Sequence, residues 1–382
     1  MVIPPKAFKL MQASGNYNTG FLEENLCYRY IYDKRQRLIK KMIPGQNYIY
    51  YVYDELDRLV MTQDGNLRNQ GKWLFTKYDI MSRPILTGMQ DDGSSTIEQK
   101  QATVDTYVDN VNTFHYEEPT DGSSYYSNQA YPPVQAQFNY LTATFYDNYD
   151  FINGNQILSY HQAMVGGKPD HTFDSQPFYR VRGMETGGKV ITLESDPNDR
   201  QSLFSVIYYD EYGRIIQTIN ENRLNGYDIE YMAYNFEGNV TNKRLDHITN
   251  AGEPEEETII SRWRYEYDDQ AGRLTHVYHR IQDQVEELIV FNKYNELGEL
   301  VEKNLHAIYP GEELGGFLQS VDYRYNTRGW LTRINRSNLS NSNLFIDDDL
   351  NILSDEIVTR MIIDDVTLSL TEEQIGEGEY IM

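Results

Sequence analysis

The feature that most constrains this chain is an internal repeat built around the sequence Tyr-x-Tyr-Asp. Within two blocks the copies recur about every 20 to 35 residues, which suits one two-stranded hairpin with its connections. A fixed period predicts an array of small units in place of a conventional core. An acidic or amide residue anchors each of eight copies: Asp33, Asp54, Asp79, Asp210, Asn235, Asp268, Asn295 and Asn326.

Each copy has the pattern of a hairpin corner. A tyrosine precedes every anchor. Residues two apart in a strand point to the same face, so Tyr51 and Tyr53, for example, lie side by side on one surface. The tyrosines before the anchors are therefore expected to form ladders along the sheet. The anchor suits the first position of a type I turn, where its side chain bonds the backbone two residues on. The ladder tyrosines are Tyr32, Tyr53, Tyr78, Tyr209, Tyr234, Tyr267, Tyr294 and Tyr325.

The position three residues after the anchor closes the predicted turn. It is glycine in four C-terminal copies, and in a fifth the glycine follows one extra residue: Gly213, Gly238, Gly298, Gly329 and Gly272. The N-terminal copies instead have Asp57, Ser82 and either Gln36 or Arg37, depending on register. An arginine often follows, as at Arg214 and Arg273, and then polar and apolar residues alternate as in a returning strand.

The predicted fold class is all-β, with repeated antiparallel β-hairpins forming a continuous sheet. An isolated hairpin is marginal in water, so each hairpin should bond to the next. Residues 1–90 are predicted to hold N-terminal repeat hairpins, 91–200 a divergent β-rich segment of the same sheet and 201–340 the C-terminal repeat hairpins. Residues 341–382 form an acidic tail that could hold one strand or helix or be partly disordered.

Charge and composition exclude several classes of function. The formal net charge of −24 would repel phosphate backbones, so nucleic acid is not an expected partner. No stretch is apolar for long enough to span a membrane. Cys27 is the single cysteine, so no disulfide framework or cysteine-based zinc site can form within the chain. Residues 1–10 do not have the pattern of a secretory signal.

The sequence predicts no metal site. Asp147, Asp150 and Asp347–Asp349 could supply oxygen ligands for calcium, but neither group has a spaced calcium-loop pattern, so solvated turns are favoured. His276 and His279 would lie on opposite faces of a strand, which disfavours a shared metal.

No catalytic or cofactor-binding residue is predicted either. The carboxylates recur at a turn position in every copy, which an Asx turn explains better than glycosidase chemistry does. Two Gly-Gly-Lys sequences, at Gly166 and Gly187, do not have the phosphate-loop pattern and are predicted to be hairpin turns. The second turn is expected to join strands around Arg182 and Val190.

The Tyr-x-Tyr-Asp-x-x-Gly-Arg-Leu pattern resembles the Rhs/YD-repeat family of bacterial polymorphic toxins, toxin-complex subunits and animal teneurins. The segments 26–45, 53–66 and 73–88 resemble in particular the long Rhs-repeat proteins of Bacteroidetes. The resemblance implies that hairpins wind into a spiral β-sheet, which closes as a hollow shell, often around a C-terminal toxin domain. The chain has no copy of the family's conserved core, so the resemblance implies an open fragment of such a shell that lacks the core and the toxin domain.

The expected function is therefore a non-enzymatic scaffold that encloses or carries an effector polypeptide. Its expected partners are that toxin or effector polypeptide, or the remaining part of the same shell, and the family implies a secreted or cell-surface location. The alternative is a surface adhesin or carbohydrate-binding module, because exposed tyrosine ladders could stack on sugar rings. No cofactor is expected.

Overall fold

A computed structural model describes residues 1–15, 20–93, 95–109, 115–120, 126–134, 140–193, 200–308 and 316–335. The chain divides into two compact units. The first unit comprises Met1–Tyr160 and Phe178–Gly213, and the second comprises His161–Pro177 and Arg214–Met382. The acidic tail predicted at 341–382, with Asp347–Asp349, lies outside the described residues.

Most of the regular structure in the described part is β-strand, with four α-helices. The helices are α1 (Pro5–Ser14), α2 (Gly20–Leu26), α3 (Gly65–Asn69) and α4 (Ile97–Asp109). The strands are β1 (Arg29–Tyr32), β2 (Leu38–Met42), β3 (Ile49–Tyr53), β4 (Leu59–Gln63), β5 (Lys72–Tyr78), β6 (Pro84–Asp91), β7 (Tyr140–Tyr146), β8 (Met164–Val165), β9 (Lys168–Pro169), β10 (Glu185–Ile191), β11 (Ser202–Tyr209), β12 (Ile215–Asn222), β13 (Gly226–Tyr234), β14 (Val240–Thr249), β15 (Glu257–Tyr267), β16 (Leu274–Ile281), β17 (Glu287–Tyr294), β18 (Leu300–Ala307), β19 (Phe317–Tyr325) and β20 (Leu331–Ile334).

In the first unit the strands form an antiparallel meander. Each of β1 to β6 pairs with the next strand, β6 pairs with β7, β7 pairs with β10 and β10 pairs with β11. The second unit repeats this plan from β12 to β20, where every strand pairs with its successor, and β8 and β9 form a separate two-stranded hairpin. The all-β fold of repeated antiparallel hairpins is confirmed.

The core of the first unit lies between the sheet and helix α4. Val52, Met61, Trp73 and Phe75 point from successive strands, while Ile97 and Val104 from α4 pack on the same cluster. The side-chain amide of Gln101 also bonds both backbone groups of Tyr53, in strand β3. The residues 91–200 therefore contain a helix that the sequence analysis did not predict.

Two short helices precede the first hairpin, and the sequence analysis did not predict them. Helix α1 has Pro5 in its first turn and ends at Gly15, which has a left-handed φ of 64°. Ala7 and Met11 from α1 pack with the buried side chain of Cys27. Burial against the helix accounts for this single cysteine as a small apolar residue.

The two Gly-Gly-Lys sequences have different structures. Gly166 and Gly167 form the turn between β8 and β9, as predicted, and both have positive φ. The prediction of a turn at Gly187 is wrong, because Gly187 and Gly188 lie inside strand β10, paired with β7 and β11. A Cβ atom on Gly187 would lie 2.3 Å from the Ser205 carbonyl oxygen and 2.5 Å from the Phe151 ring, so close packing explains this glycine.

Candidate functional site at the repeat corners

The eight predicted corners are tight turns with the same hydrogen bonds. In every one, a side-chain oxygen of the anchor accepts a backbone N–H from two to five residues further on; Asp33, for example, accepts from Arg35 and Arg37 at 2.9 Å. The anchor's own carbonyl accepts the N–H of the residue that closes the turn. The anchors are therefore Asx-turn residues, which is a structural use of a carboxylate or amide.

The residue that closes each turn has a left-handed backbone in all eight copies. The φ values are 63° at Gln36, 62° at Asp57, 62° at Ser82, 77° at Gly213, 90° at Gly238, 62° at Gly272, 82° at Gly298 and 74° at Gly329. The register question in the first copy is thus decided in favour of Gln36 and against Arg37. A type I turn followed by a left-handed residue and a strand bulge is a common three-residue hairpin connection, and glycine fits it without strain.

An ion pair closes four of the corners whose anchor is aspartate. The arginine after the left-handed residue donates its Nε or Nη to the anchor carboxylate, at distances of 2.7, 2.7, 2.6 and 2.5 Å. The pairs are Arg37–Asp33, Arg58–Asp54, Arg83–Asp79 and Arg273–Asp268. Asp54 and Asp79 are themselves buried, so their charge is balanced where water is scarce.

The same arginines join one copy to the next. Three of these guanidinium groups lie over the ring of the following ladder tyrosine, for example 4.7 Å above Tyr78 for Arg58 and 5.0 Å above Tyr294 for Arg273. Arg37 and Arg273 also donate to the carbonyl oxygen of the next anchor, at 3.2 and 3.3 Å. Cation–π contact and charge-assisted hydrogen bonding therefore couple neighbouring hairpins.

The ladder tyrosines complete the connection from the other side. In six copies the hydroxyl donates to a backbone carbonyl of the preceding strand at 2.6 to 2.9 Å. The donor–acceptor pairs are Tyr53–Leu38, Tyr78–Leu59, Tyr209–Glu185, Tyr234–Ile215, Tyr267–Val240 and Tyr294–Leu274. We call the anchor, the arginine and the following tyrosine together the corner lock.

The identity of the anchor follows the charge of its neighbour. Aspartate occurs in every copy that has an arginine after the turn, whereas the three asparagine copies have Asn239, Glu299 and Trp330 there. The Asn295 amide donates to the Glu299 carboxylate at 2.8 Å, a bond that an aspartate could not make. Asp or Asn is thus chosen by the electrostatics of the corner, which the sequence analysis did not notice.

The corner bonds lower the pKa of some anchors. Burial raises the pKa of Asp33, but the Arg37 backbone N–H and guanidinium together with the Arg35 N–H outweigh it, so the net pKa lies below the usual value. The Ala271 N–H and the Arg273 guanidinium lower the pKa of Asp268. Both carboxylates are therefore held as anions, which suits an Asx turn and an ion pair and does not suit a general acid.

A ninth, irregular corner lies at Asp147, which the sequence analysis considered as a calcium ligand. Asp147 has a φ of 74° and accepts both Nη groups of Arg83 at 3.2 and 2.6 Å, together with the Gly183 N–H. Arg83 lies 4.3 Å above the ring of Tyr146, as in the other corners. The Tyr146-Asp147 dipeptide was the sequence signal for this corner.

One buried ion pair outside the corners was not predicted. Lys77 and Glu117 have fully buried side chains and bond at 2.7 Å, and Lys77 also donates to Asn128 at 2.8 Å. Glu117 further accepts the Ser127 hydroxyl and the N–H groups of residues 129 and 130. All of these bonds hold the irregular segment around residue 128 against strand β5, so the carboxylate is engaged in structure.

A small cavity lies beside this pair, lined in part by Asp54, Lys77 and His115. Its volume is about 20 Å³, enough for one water molecule and far too small for a sugar. Both Asp54 oxygens are occupied by bonds to Arg58. The cavity therefore does not provide the paired, accessible carboxylates that glycoside hydrolysis requires.

The described histidines and acids do not converge on a metal. Among the described residues no group of three or more His, Cys, Asp or Glu side chains is placed to hold an ion. His276 and His279 lie on opposite faces of β16, where His279 stacks on Trp263 and His276 on Phe291. No helix in the described residues is long and apolar enough to cross a membrane.

The described residues define an all-β hairpin-repeat protein. No protein-family model matches the chain, and no curated protein matches it. Its fold is similar to a crystal structure of TcdB2-TccC3 with Cdc42, with 12% identity and a TM-score of 0.31, over 86% of this chain and 14% of that chain.

Two further structures match this chain at similarly low sequence identity. TcdB2-TccC3 without its hypervariable C-terminal region matches with 12% identity and a TM-score of 0.33, over 86% of this chain and 14% of that chain. A Photorhabdus luminescens Tc holotoxin pore matches with 13% identity and a TM-score of 0.19, over 89% of this chain and 21% of that chain. The chain therefore spans less than a quarter of the length of each of these structures.

Proposed function

We propose that the chain is a non-enzymatic structural scaffold, a fragment of an Rhs/YD-repeat shell that encloses or carries an effector polypeptide. The observation that carries the proposal is the corner lock, because it fixes each hairpin and ties it to the next. The carboxylates of the corner lock accept hydrogen bonds in turns and form ion pairs, so the acidic residues that recur most often in the chain stabilise the sheet and do not take part in a reaction.

The corner lock also bears on the alternative of glycan binding. Several ladder tyrosines have an arginine over one ring face and use their hydroxyl on a backbone carbonyl, as Tyr53, Tyr78, Tyr234 and Tyr294 do. Sugar stacking needs an open aromatic face. The scaffold is therefore the function that the ladders support better.

The finer parts of the proposal follow from the resemblance of the repeats to the Rhs/YD-repeat family. The partner would be a toxin or another part of the same shell, and the location would be secreted or at the cell surface. The resemblance to the long Rhs proteins of Bacteroidetes rests on the segments 26–45, 53–66 and 73–88.

Protease protection tests the proposal. The chain would be tagged in its native source and purified with the polypeptides bound to it, and a broad protease would then be added in limiting amounts. We expect a bound polypeptide to survive much longer than the same polypeptide alone, and to lose this protection when the chain carries Arg58→Gln together with Arg273→Gln. Equal digestion rates with and without the chain would contradict an enclosing role.

A further inference from the structure

Three arginines form a row across neighbouring strands of the second unit. Arg244 in β14 is directly opposite Arg262 in β15, and Arg262 is directly opposite Arg280 in β16. Directly opposed residues point to the same face of a sheet, and strands are about 4.8 Å apart. Three positive charges therefore line one face at strand spacing, an arrangement that is destabilising unless anions offset it.

Within the part of the chain that the structure describes, only the first arginine of the row pairs with a close carboxylate. Arg244 is buried and donates two hydrogen bonds to Asp246, at 2.6 and 2.7 Å. Its third bond goes to the carbonyl oxygen of Met164, at 2.6 Å. Its charge and donors are thus matched by groups of the chain itself.

The other two arginines are not matched in this way. Arg262 donates to the carbonyl oxygen of Gln282 at 3.3 Å, and neither it nor Arg280 forms an ion pair within the described part of the chain. Burial lowers the pKa of Arg262, and the charges of Arg244 and Arg280 lower it further, while Asp246 and Asp170 offset this only in part. Both side chains are half-buried, so solvent does not fully compensate them.

This situation is unusual for an acidic protein. The chain has 58 Asp and Glu against 34 Lys and Arg, yet among the described residues none of these carboxylates forms an ion pair with Arg262 or Arg280. The next arginine along the same strand, Arg264, pairs with both Glu266 and Glu286. An anion from outside the described residues would supply the negative charge that Arg262 and Arg280 need as a partner.

The same face already binds polypeptide at the other end of the row. The residues opposite Arg244 in the preceding strands are Tyr231 and then Gln217. The Gln217 amide bonds both backbone groups of His161, at 3.0 and 2.7 Å, and Tyr231 contacts the ring of Phe173. The segment 161–177 thus contacts Gln217, Tyr231 and Arg244 directly. Asp170 of this segment acts on Arg262 only through its charge, without an ion pair, and the row of arginines continues to Arg280.

We propose that Arg262 and Arg280 are a docking position for an acidic polypeptide segment, whose carboxylates bind the two guanidinium groups. Guanidinium and carboxylate match in a two-pronged, charge-assisted hydrogen bond. The partner is a polypeptide because the segment 161–177 already covers Gln217, Tyr231 and Arg244 on the same face. The inference does not depend on the proposed shell function.

Peptide binding to the full chain tests the proposal. The probe is a fluorescein-labelled octapeptide of alternating Asp and Ser, and its neutral counterpart has Asn in place of Asp. By fluorescence anisotropy at low salt, we expect saturable binding of the acidic peptide and at least tenfold weaker binding to Arg262→Gln with Arg280→Gln. The matched control is Arg333→Gln, which removes an exposed arginine that also lies opposite an arginine, Arg324; its affinity should stay within twofold of the wild type.

A thermal melt separates a docking role from a structural one. The double variant should melt at or above the wild-type temperature, because it removes repulsion and no ion pair. A lower melting temperature would overturn the inference, as would equal peptide affinity in the wild type and the double variant. Displacement of the peptide by millimolar inorganic phosphate at constant ionic strength would assign the position to small anions and would also overturn it.

Discussion

The change Tyr53→Phe removes one hydroxyl from a ladder, and Tyr51→Phe provides a matched control in the same strand. The two tyrosines are two residues apart in β3, so they point to the same side of the sheet. Tyr53 donates to the carbonyl oxygen of Leu38 at 2.8 Å, whereas Tyr51 has no hydroxyl partner among the described residues. The pair therefore isolates the hydrogen bond between hairpins from the loss of a hydroxyl.

The expected cost follows from the chemistry of that bond. A typical intramolecular hydrogen bond contributes about 1 kcal/mol net, and the Leu38 carbonyl left behind is only partly reached by water. We expect Tyr53→Phe to lower the free energy of unfolding by about 1 to 1.5 kcal/mol. For a unit of roughly 200 residues this corresponds to a melting temperature lower by about 2 to 6 °C. Tyr51→Phe should change stability by less than about 0.5 kcal/mol.

The assay is thermal and urea unfolding followed by far-ultraviolet circular dichroism, with the three proteins measured side by side. Equal slopes against urea would show that the variants unfold from comparable states. If Tyr51→Phe cost as much as Tyr53→Phe, the hydroxyl bond would not be the source of the effect, and the ladder would have to be explained by ring packing alone.

Three other predictions concern the turn and the titratable groups. Gly238→Ala should lower the free energy of unfolding by about 1 to 2 kcal/mol through backbone strain alone, because φ is 90° and an added Cβ would meet nothing within 4 Å. Gln36→Gly should leave the free energy of unfolding unchanged or raise it by up to about 1 kcal/mol, because glycine adopts the left-handed backbone without strain. Urea unfolding of both variants tests these two expectations. Asn295→Asp should cost about 1 to 2 kcal/mol at pH 7, because it sets a carboxylate against Glu299, and adding Glu299→Gln should restore stability. The folded-state pKa of Asp268 is lowered, so its contribution to stability is present above the usual aspartate pKa of 3.8 and is lost as the pH falls through the folded-state pKa. Asp268→Asn should therefore make the melting temperature fall less steeply between about pH 5 and pH 2.

The repeat corners were predictable because their chemistry is local. Anchor, turn and left-handed residue lie within four or five positions, so the Asx turn can be seen in the sequence at Asn326-Thr-Arg-Gly329 without knowledge of the fold. The exceptions Gln36, Asp57 and Ser82 show that pairing of the flanking strands holds the turn even where its best residue is absent. At these three positions the pairing of the flanking strands outweighs the local preference for glycine, so the backbone strain is tolerated.

The contacts between copies were not predictable in the same way. Arg58 pairs with its own anchor Asp54, four residues earlier in the sequence. The same guanidinium also lies over the ring of Tyr78, 20 residues later. Only the register of β4 with β5 brings Tyr78 to that position. The sequence analysis therefore found the tyrosine and the acid and assigned no partner to the arginine. The charge match between anchor and following residue was a visible signal, since every arginine copy has aspartate.

The helices were missed for a different reason. Helix α4 is largely polar and presents few apolar residues to the core, among them Ile97 and Val104, a weak version of the pattern that marks an amphipathic helix. Helix α1 had better signals, with Pro5 at its start and Gly15 at its end. Gly187 was misassigned because a glycine required by close packing in a strand looks the same in sequence as a glycine required by a turn.

A double-mutant cycle between Arg273 and Tyr294 measures whether the corner lock couples each hairpin to the next, as we claim. Arg273 lies 5.0 Å from the centre of the Tyr294 ring and in the preceding copy. Free energies of unfolding would be measured for Arg273→Gln, Tyr294→Leu and the double variant, with Arg273→Gln and Tyr323→Phe as a control pair from copies that are not neighbours. We predict a coupling energy of about 0.5 to 1.5 kcal/mol for the first pair and none beyond error for the control. Additive effects in the first pair would contradict the claim.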